Sequence, residues 1–314
     1  MRMKSKEIRI LFMGTPTISS SVLERMILDG YNIVGIISQP DRPQGRKHLL
    51  LPTPTKEVGL KYNVPVYQKE KIRLDYEFVK DIKPDLILTL AYGQILPLGL
   101  LDIPPLGCLN LHGSLLPKYR GAAPIQYALI NNEKETGVSL MEMTKEMDAG
   151  RVYAQNKFEI KEEDNATSLF MKMADAAYEL IKDKLEDYVL GNLPGVEQDV
   201  SLVTFCPTIK KEEEHLDLTL PKEKIYGYIR ALSDTPGAYL IAPFGKFKIY
   251  QSSIYSDGIR GEVGEIIEFN KEGILLQCNN GILALKSVQK EGKSRIDAQS
   301  FVNGNKDFLH IILK

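Results

Sequence analysis

The chain has no tryptophan and only three cysteines among its 314 residues. Cys108, Cys206 and Cys278 are odd in number and far apart. They make neither a zinc-ligand spacing nor a disulfide framework, which points to a reducing cytoplasm. No apolar run approaches the roughly 20 residues that a membrane-spanning helix needs. The basic start Met1-Arg2-Met3-Lys4-Ser5-Lys6 leads into Glu7-Ile8-Arg9-Ile10, not into the apolar core of a secretory signal. Charge of one sign is lacking too. Lys and Arg number 40 against 41 Asp and Glu, for a net charge of −1. Bulk electrostatics therefore does not mark a polyanion binder, and any nucleic-acid contact must rest on local patches. The first strand–turn lacks the three-glycine dinucleotide fingerprint, and no phosphate-loop string Gly-x-x-x-x-Gly-Lys-Ser/Thr occurs. Nicotinamide and nucleoside-triphosphate enzymes are thereby disfavoured.

With 43% hydrophobic and 26% charged residues, the composition is that of a globular protein, and the length suits two domains. The apolar run 8–13 suits a parallel strand covered on both faces. Thr15 can cap the helix that follows and Pro16 fits its first position. Val22, Leu23, Met26 and Ile27 trace the helical stripe. A second strand at 32–38 completes a strand–helix–strand opening, which predicts an open, mostly parallel α/β sheet. Strands at 64–67, 84–90, 137–143 and 152–160 extend it. A helix is expected over 76–82 and another over 122–131. A long amphipathic helix over 166–190 turns Leu169, Met173, Ala176, Leu180 and Leu185 inward. The stretch to about Pro207 reads as a linker. A helix from Pro221 carries Ile225, Ile229 and Leu232 on one stripe. Five short strands follow, at 238–242, 247–254, 262–269, 273–278 and 282–288, and suggest a small barrel. From Ile209 onward 15 Lys and Arg face 14 Asp and Glu, yet Lys286, Lys290, Lys293 and Arg295 cluster. The expected domains are 1–190, carrying the chemistry, a linker at 191–208, and a barrel at 209–314.

The chemistry concentrates in Cys108-Leu109-Asn110-Leu111-His112-Gly113-Ser114-Leu115-Leu116-Pro117. This reads as a short buried strand opening into a loop. Asn110 and His112 stand two apart, so they share one face. A polar pair on an apolar strand is costly unless hydrogen-bonded or placed at a cleft. Asp148 follows in the turn Met147-Asp148-Ala149-Gly150. An Asn, a His and an Asp suffice for acyl transfer when the nucleophile belongs to the substrate. Asn110 can donate to an oxyanion, and the imidazole of His112 can polarise a carbonyl and handle protons. Asp148 can hold the ring and accept a proton. A metal site is discounted, because no further His or Cys lies nearby in sequence. Two other features stand out. The stretch 39–55 is long for a connection in such a sheet and carries Arg42, Arg46, Lys47 and His48. It is either a solvated loop or a basic finger for a polyanion. The segment Ala91-Tyr92-Gly93-Gln94-Ile95-Leu96-Pro97, at a strand's carboxyl end, could wall a flat aromatic ligand or simply fold onto the core.

These strings resemble the formyltetrahydrofolate-dependent formyltransferases along the whole chain. The resemblance rests on Asn110–Pro117, on Tyr119-Arg120-Gly121-Ala122-Ala123-Pro124-Ile125-Gln126, on Glu135-Thr136-Gly137-Val138 and on Asp148-Ala149-Gly150. It implies a Rossmann-like formyltransferase fold followed by an OB-like β-barrel that binds tRNA. It implies transfer of the formyl group of 10-formyltetrahydrofolate to the α-amino group of an initiator Met-tRNA, with no metal. Asn110, His112 and Asp148 would be catalytic, while Ser114, Leu115, Leu116, Pro117, Tyr92, Gly93 and Leu96 would meet the folate. Arg42, Arg46 and Lys47 would meet the tRNA acceptor end. A cytoplasmic monomer is expected. The chain departs from the family pattern at Thr17-Ile18-Ser19, where an acidic residue, Phe and Ala are usual, and at Thr235, where a Trp usually precedes Pro-Gly-Ala. The competing readings are a formyltransferase for an amino-sugar nucleotide or other small amine, a formyltetrahydrofolate hydrolase, and a noncatalytic RNA-binding module. The last leaves Asn110, His112 and Asp148 unexplained.

Overall fold

The computed structural model describes residues 4–44 and 49–314 and divides into two compact units. The first holds the chain up to Gly121 together with 136–158 and 170–205; the second holds 122–135, 159–169 and 206–314. The strands of the first half are β1 (Ile10–Gly14), β2 (Ile33–Ser38), β3 (Arg42–Gln44), β4 (Leu49–Leu51), β5 (Val66–Gln68), β6 (Leu86–Leu90), β7 (Cys108–His112), the two-residue β8 (Arg120–Gly121), β9 (Glu135–Glu142) and β10 (Val152–Glu159). Seven of them form one sheet in the order β10-β9-β7-β6-β1-β2-β5. The pairs β1–β2, β1–β6, β2–β5 and β6–β7 are parallel, whereas β7–β9 is antiparallel. Every residue of β1 and β6 is buried, as continuous apolar runs covered on both faces require.

The chain runs outward from β1 through β2 to β5 and returns at β6 on the other side of β1. The order therefore reverses between β1 and β6, and ligands of open α/β sheets bind outside the carboxyl ends of strands at such a reversal. The loops there are tied together. Thr15 Oγ1 donates to the Tyr92 carbonyl at 3.2 Å and accepts the Gln39 N–H at 3.2 Å. This corrects the expectation that Thr15 caps a helix. The helix Thr17–Leu28 has no side-chain cap, because the hydroxyl is committed across the sheet.

The stretch 39–55 is not a plain loop. β3 and β4 pair as an antiparallel hairpin, and a helix, Pro54–Tyr62, begins directly behind, capped by Thr53. Residues Leu49, Leu50 and Leu51 are exposed on that hairpin. The predicted helix at 166–190 runs over Ala166–Val189 with its five inward residues all buried.

After the two-residue β11 (Phe205–Cys206), the second unit holds a helix at Lys222–Leu232 and an antiparallel sheet. Its strands are β12 (Ala238–Ala242), β13 (Gly245–Asp257), β14 (Ile266–Asn270), β15 (Gly273–Cys278), β16 (Gly281–Lys290) and β17 (Ile296–Asp297), in the order β12-β13-β16-β15-β14 with β17 on β16. The final residues link the two ends of this path. The Leu313 N–H bonds the Gly264 carbonyl at 2.8 Å and the Ile266 N–H bonds the Ile311 carbonyl at 2.9 Å. On the other side Ile241 and Lys314 exchange N–H···O bonds of 2.6 and 3.0 Å. β14, at Ile266, and β12, at Ile241, thus both pair with the last few residues, which draws the two ends of the sheet together as in a barrel. β14 starts later than expected because Glu262–Glu265 is a turn, with the Glu262 N–H bonding the Glu265 carboxylate at 2.9 Å. Phe247, Phe301 and Phe308 pack in the core with ring centroids 5.0–5.2 Å apart, tilted or edge to face. The helix Pro124–Ile130 lies against Lys222–Leu232 so closely that a Cβ on Gly227 would fall 2.7 Å from Ile130 Cα. Of the basic cluster, Lys290 sits over the Phe244 ring at 4.5 Å and Arg295 over Tyr250 at 4.6 Å, with Arg295 also paired to Asp234.

Candidate active site

β7 lies between β6 and β9, with Asn110 opposite Thr89 on one side and His112 opposite Ser139 on the other. The polar pair is satisfied, as its burial demands. Thr89 Oγ1 donates to Asn110 Oδ1 at 2.8 Å. That commits the amide oxygen and leaves the NH2 group for another acceptor. His112, 5% exposed, has its Nε2 2.8 Å from the Tyr119 carbonyl. A carbonyl only accepts, so Nε2 carries a hydrogen and the neutral ring keeps its lone pair on Nδ1. Nδ1 faces Asp148 Oδ2 at 3.6 Å. This separation exceeds hydrogen-bond length. The Tyr119 carbonyl holds the ring through Nε2, and Asp148 lies opposite the other ring nitrogen.

Asp148 is itself placed with care. Its φ is +51°, and Oδ2 accepts the Gly121 N–H at 2.8 Å. Gly150 approaches β9 so closely that a Cβ would lie 2.1 Å from the Glu142 carbonyl oxygen. Since that neighbour is backbone, it cannot swing away. Gly150→Ala is expected to destabilise the fold by about 1–3 kcal/mol through overpacking, read as a lower unfolding midpoint. Gly304→Ala is the control, since a Cβ there meets nothing within 4 Å, and its midpoint should not move.

The loop after β7 is clamped from β9 and β10. Ser139 Oγ donates to the Ser114 carbonyl at 2.7 Å and accepts the Leu116 N–H at 3.1 Å. Gln155 Nε2 bonds the Leu116 carbonyl at 2.9 Å. Ser114 is fully buried with its hydroxyl on the Lys118 carbonyl, and Leu116 is 6% exposed. Within 114–117 the partly exposed side chains are therefore those of Leu115 and Pro117. Tyr92 and Leu96, behind β6, are buried in the unit's core, whereas Gly93 is exposed. The Tyr92 hydroxyl is buried without a hydrogen-bond partner among the described residues, and burial pushes its pKa up to about 12. The Cys108 thiol at the start of β7 is likewise pushed up to about 12 by burial. Arg42 is exposed, 3.7 Å from Glu70, while Arg46, Lys47 and His48 lie outside the described residues. Among the described residues no group of three His, Cys, Asp or Glu side chains could hold a metal ion.

The structure thus brings Asn110, His112 and Asp148 together, with the 114–117 loop beginning at the end of β7 and the 92–96 segment at the end of neighbouring β6. Sequence reading missed Gln155, on the mixed strand β10, and Thr89 and Ser139, whose polar side chains sit in largely apolar strands. That same signal exposed Asn110 and His112. It also missed Gln198, hidden in a stretch that reads as linker.

Asn110 and His112 at the carboxyl end of a central strand, with Asp148 facing His112, stand beside the reversal where open α/β sheets bind ligands. Residues 6–185 match the family described as formyl transferase, and 208–306 match its C-terminal domain. The chain belongs to this family. Over 94% of its length it is 42% identical to a methionyl-tRNA formyltransferase of Bacillus pumilus, of which 94% is covered. Solved structures that share the fold are more distant. HypX from Aquifex aeolicus, in complex with tetrahydrofolic acid, has a TM-score of 0.64 at 17% identity, over 96% of this chain and 47% of that one. An N-formyltransferase from Helicobacter canadensis, in complex with folinic acid and dTDP-3-aminofucose, has a TM-score of 0.61 at 19% identity, over 88% of this chain and 99% of that one.

Proposed function

We infer that the protein transfers the formyl group of 10-formyltetrahydrofolate to the α-amino group of methionine on initiator Met-tRNA, giving formylmethionyl-tRNA for translation initiation. The observation that carries this reading is the Asn110–His112–Asp148 cluster in a chain so similar, end to end, to a methionyl-tRNA formyltransferase. Amino-sugar formyltransferases share the fold at much lower identity. We assign the chemistry to residues 1–190, the linker to 191–208 and tRNA binding to 209–314 and to Arg42, Arg46 and Lys47, in a cytoplasmic monomer.

The folate fits what is present. Its flat ring would lie along Tyr92, Gly93 and Leu96, with Ser114–Pro117 facing the formyl end through Leu115 and Pro117. The unpartnered Tyr92 hydroxyl supplies a group that a heteroatom-rich ring could satisfy. An α-amino group has a pKa of about 8, so a fair fraction is already neutral and attacks without a strong base. Its nitrogen bonds to the formyl carbon, and the carbonyl oxygen becomes an oxyanion. The Asn110 NH2, left open by Thr89, donates to that oxygen, an interaction worth about 3–4 kcal/mol in comparable sites. The amine proton passes to Asp148 or to His112 Nδ1 and on to the folate nitrogen as the carbon–nitrogen bond to the donor breaks. Fixing Nε2–H on the Tyr119 carbonyl confines the ring's proton traffic to Nδ1, the nitrogen facing Asp148. The reading is tested by incubating the protein with 10-formyltetrahydrofolate and Met-tRNA, deacylating the tRNA and weighing the released amino acid. Formylmethionine is expected; unmodified methionine alone would refute the reading.

A further inference from the structure

We propose that residues 198–204 form a positioning strap for the catalytic pair, with Gln198 holding Asp148 and Thr204 holding the loop that anchors His112. The proposal rests on the roles given above to His112 and Asp148. Gln198 uses its whole carboxamide. Its Nε2 donates to the carbonyls of Asp148 and Gly150, both at 2.8 Å. Its Oε1 accepts Nε and Nη2 of Arg120 at 3.0 and 2.9 Å. A guanidinium has only donors and a carbonyl only accepts, so the amide has a single possible orientation. Arg120, 7% exposed, in turn fixes Gln198. At the other end of the strap, Thr204 Oγ1 accepts the Tyr119 N–H at 2.9 Å and the Thr204 carbonyl accepts the Arg120 N–H at 2.8 Å. The Tyr119 carbonyl is the group that holds His112 Nε2. One short segment therefore reaches both partners of the 3.6 Å His–Asp pair.

Both held residues need holding. Tyr119 and Asp148 have φ values of +61° and +51°, in the left-handed region that residues with a side chain rarely occupy without outside support. Release of either would let the backbone relax and carry the ring or the carboxylate away from the other. Displacement of about 1 Å in a reacting geometry costs about a hundredfold in rate.

The test is Gln198→Glu. Glutamate has the same shape and keeps Arg120 as its partner, now as an ion pair, but it turns a carboxylate oxygen instead of N–H groups toward the two carbonyls. With 10-formyltetrahydrofolate and Met-tRNA, kcat is expected to fall about ten- to a hundredfold, while both KM values stay within about twofold and the unfolding midpoint does not drop. A wild-type kcat, or a loss that comes with a raised KM or a lower midpoint, would overturn the strap. The ring nitrogen-15 resonances of His112 give a readout that needs no turnover. They are expected to shift in Q198E, and unchanged resonances would overturn the strap whatever the acceptor is. A wild-type protein that leaves Met-tRNA unformylated would overturn the activity instead.

Discussion

Replacing His112 or Asp148 with alanine is expected to lower turnover by at least about a hundredfold with little change in folate affinity, because each removes an interaction made as the proton moves. His112 is buried against the Tyr119 carbonyl, and Asp148 holds the Gly121 N–H, so alanine also strips a structural partner in each case. Asp148→Asn separates the two effects. An asparagine retains the oxygen that serves Gly121 and faces Nδ1, but neither the charge nor the basicity of a carboxylate. It should fold like the wild type and be nearly as slow as Asp148→Ala. Steady-state rates and donor-binding curves on the three variants check this, and near-wild-type turnover in Asp148→Asn would remove Asp148 from the chemistry.

The second large effect is expected at the basic stretch 42–47. Neutralising Arg42, Arg46 and Lys47 together should raise the apparent KM for tRNA and leave that for the folate in place. Arg42 is 67% exposed and its ion pair with Glu70 spans 3.7 Å, a contact too weak to withhold it from a phosphate. Each lost phosphate contact should flatten the plot of log affinity against log salt by about 0.7–0.9. A salt titration of tRNA binding by the triple variant reads this directly. An unaltered KM and slope would mean that these charges are merely solvated.

The sheet was legible because burial on both faces leaves an unbroken apolar run, as in β1 and β6, and because the long helix repeats its apolar positions over 24 residues. Asn110, His112 and Asp148 were legible as polar residues in an apolar strand and a glycine-bounded turn. What escaped are links between distant parts of the chain. Thr15 looks like a helix cap and instead bonds Tyr92, 77 residues away. Gln198 lies 50 residues from Asp148 in a stretch without hydrophobic periodicity. The barrel's last seam is formed by 311–314, too short and irregular to read as a strand, because backbone pairing leaves no side-chain signature. The local placement of Ser114 and Leu116 escaped as well: the hydroxyl of the first bonds the Lys118 carbonyl, and the side chain of the second is buried.

The central claim is that this site passes a formyl group to an amine delivered on a tRNA. The most direct measurement supplies donor labelled in the formyl carbon to a mixture of Met-tRNA, free amino sugars and water, and follows where the label goes. The account predicts that it appears on the methionine of the tRNA, far ahead of the amino sugars and of free formate. Label on an amino sugar, or release as formate at the same rate with and without Met-tRNA, would contradict it.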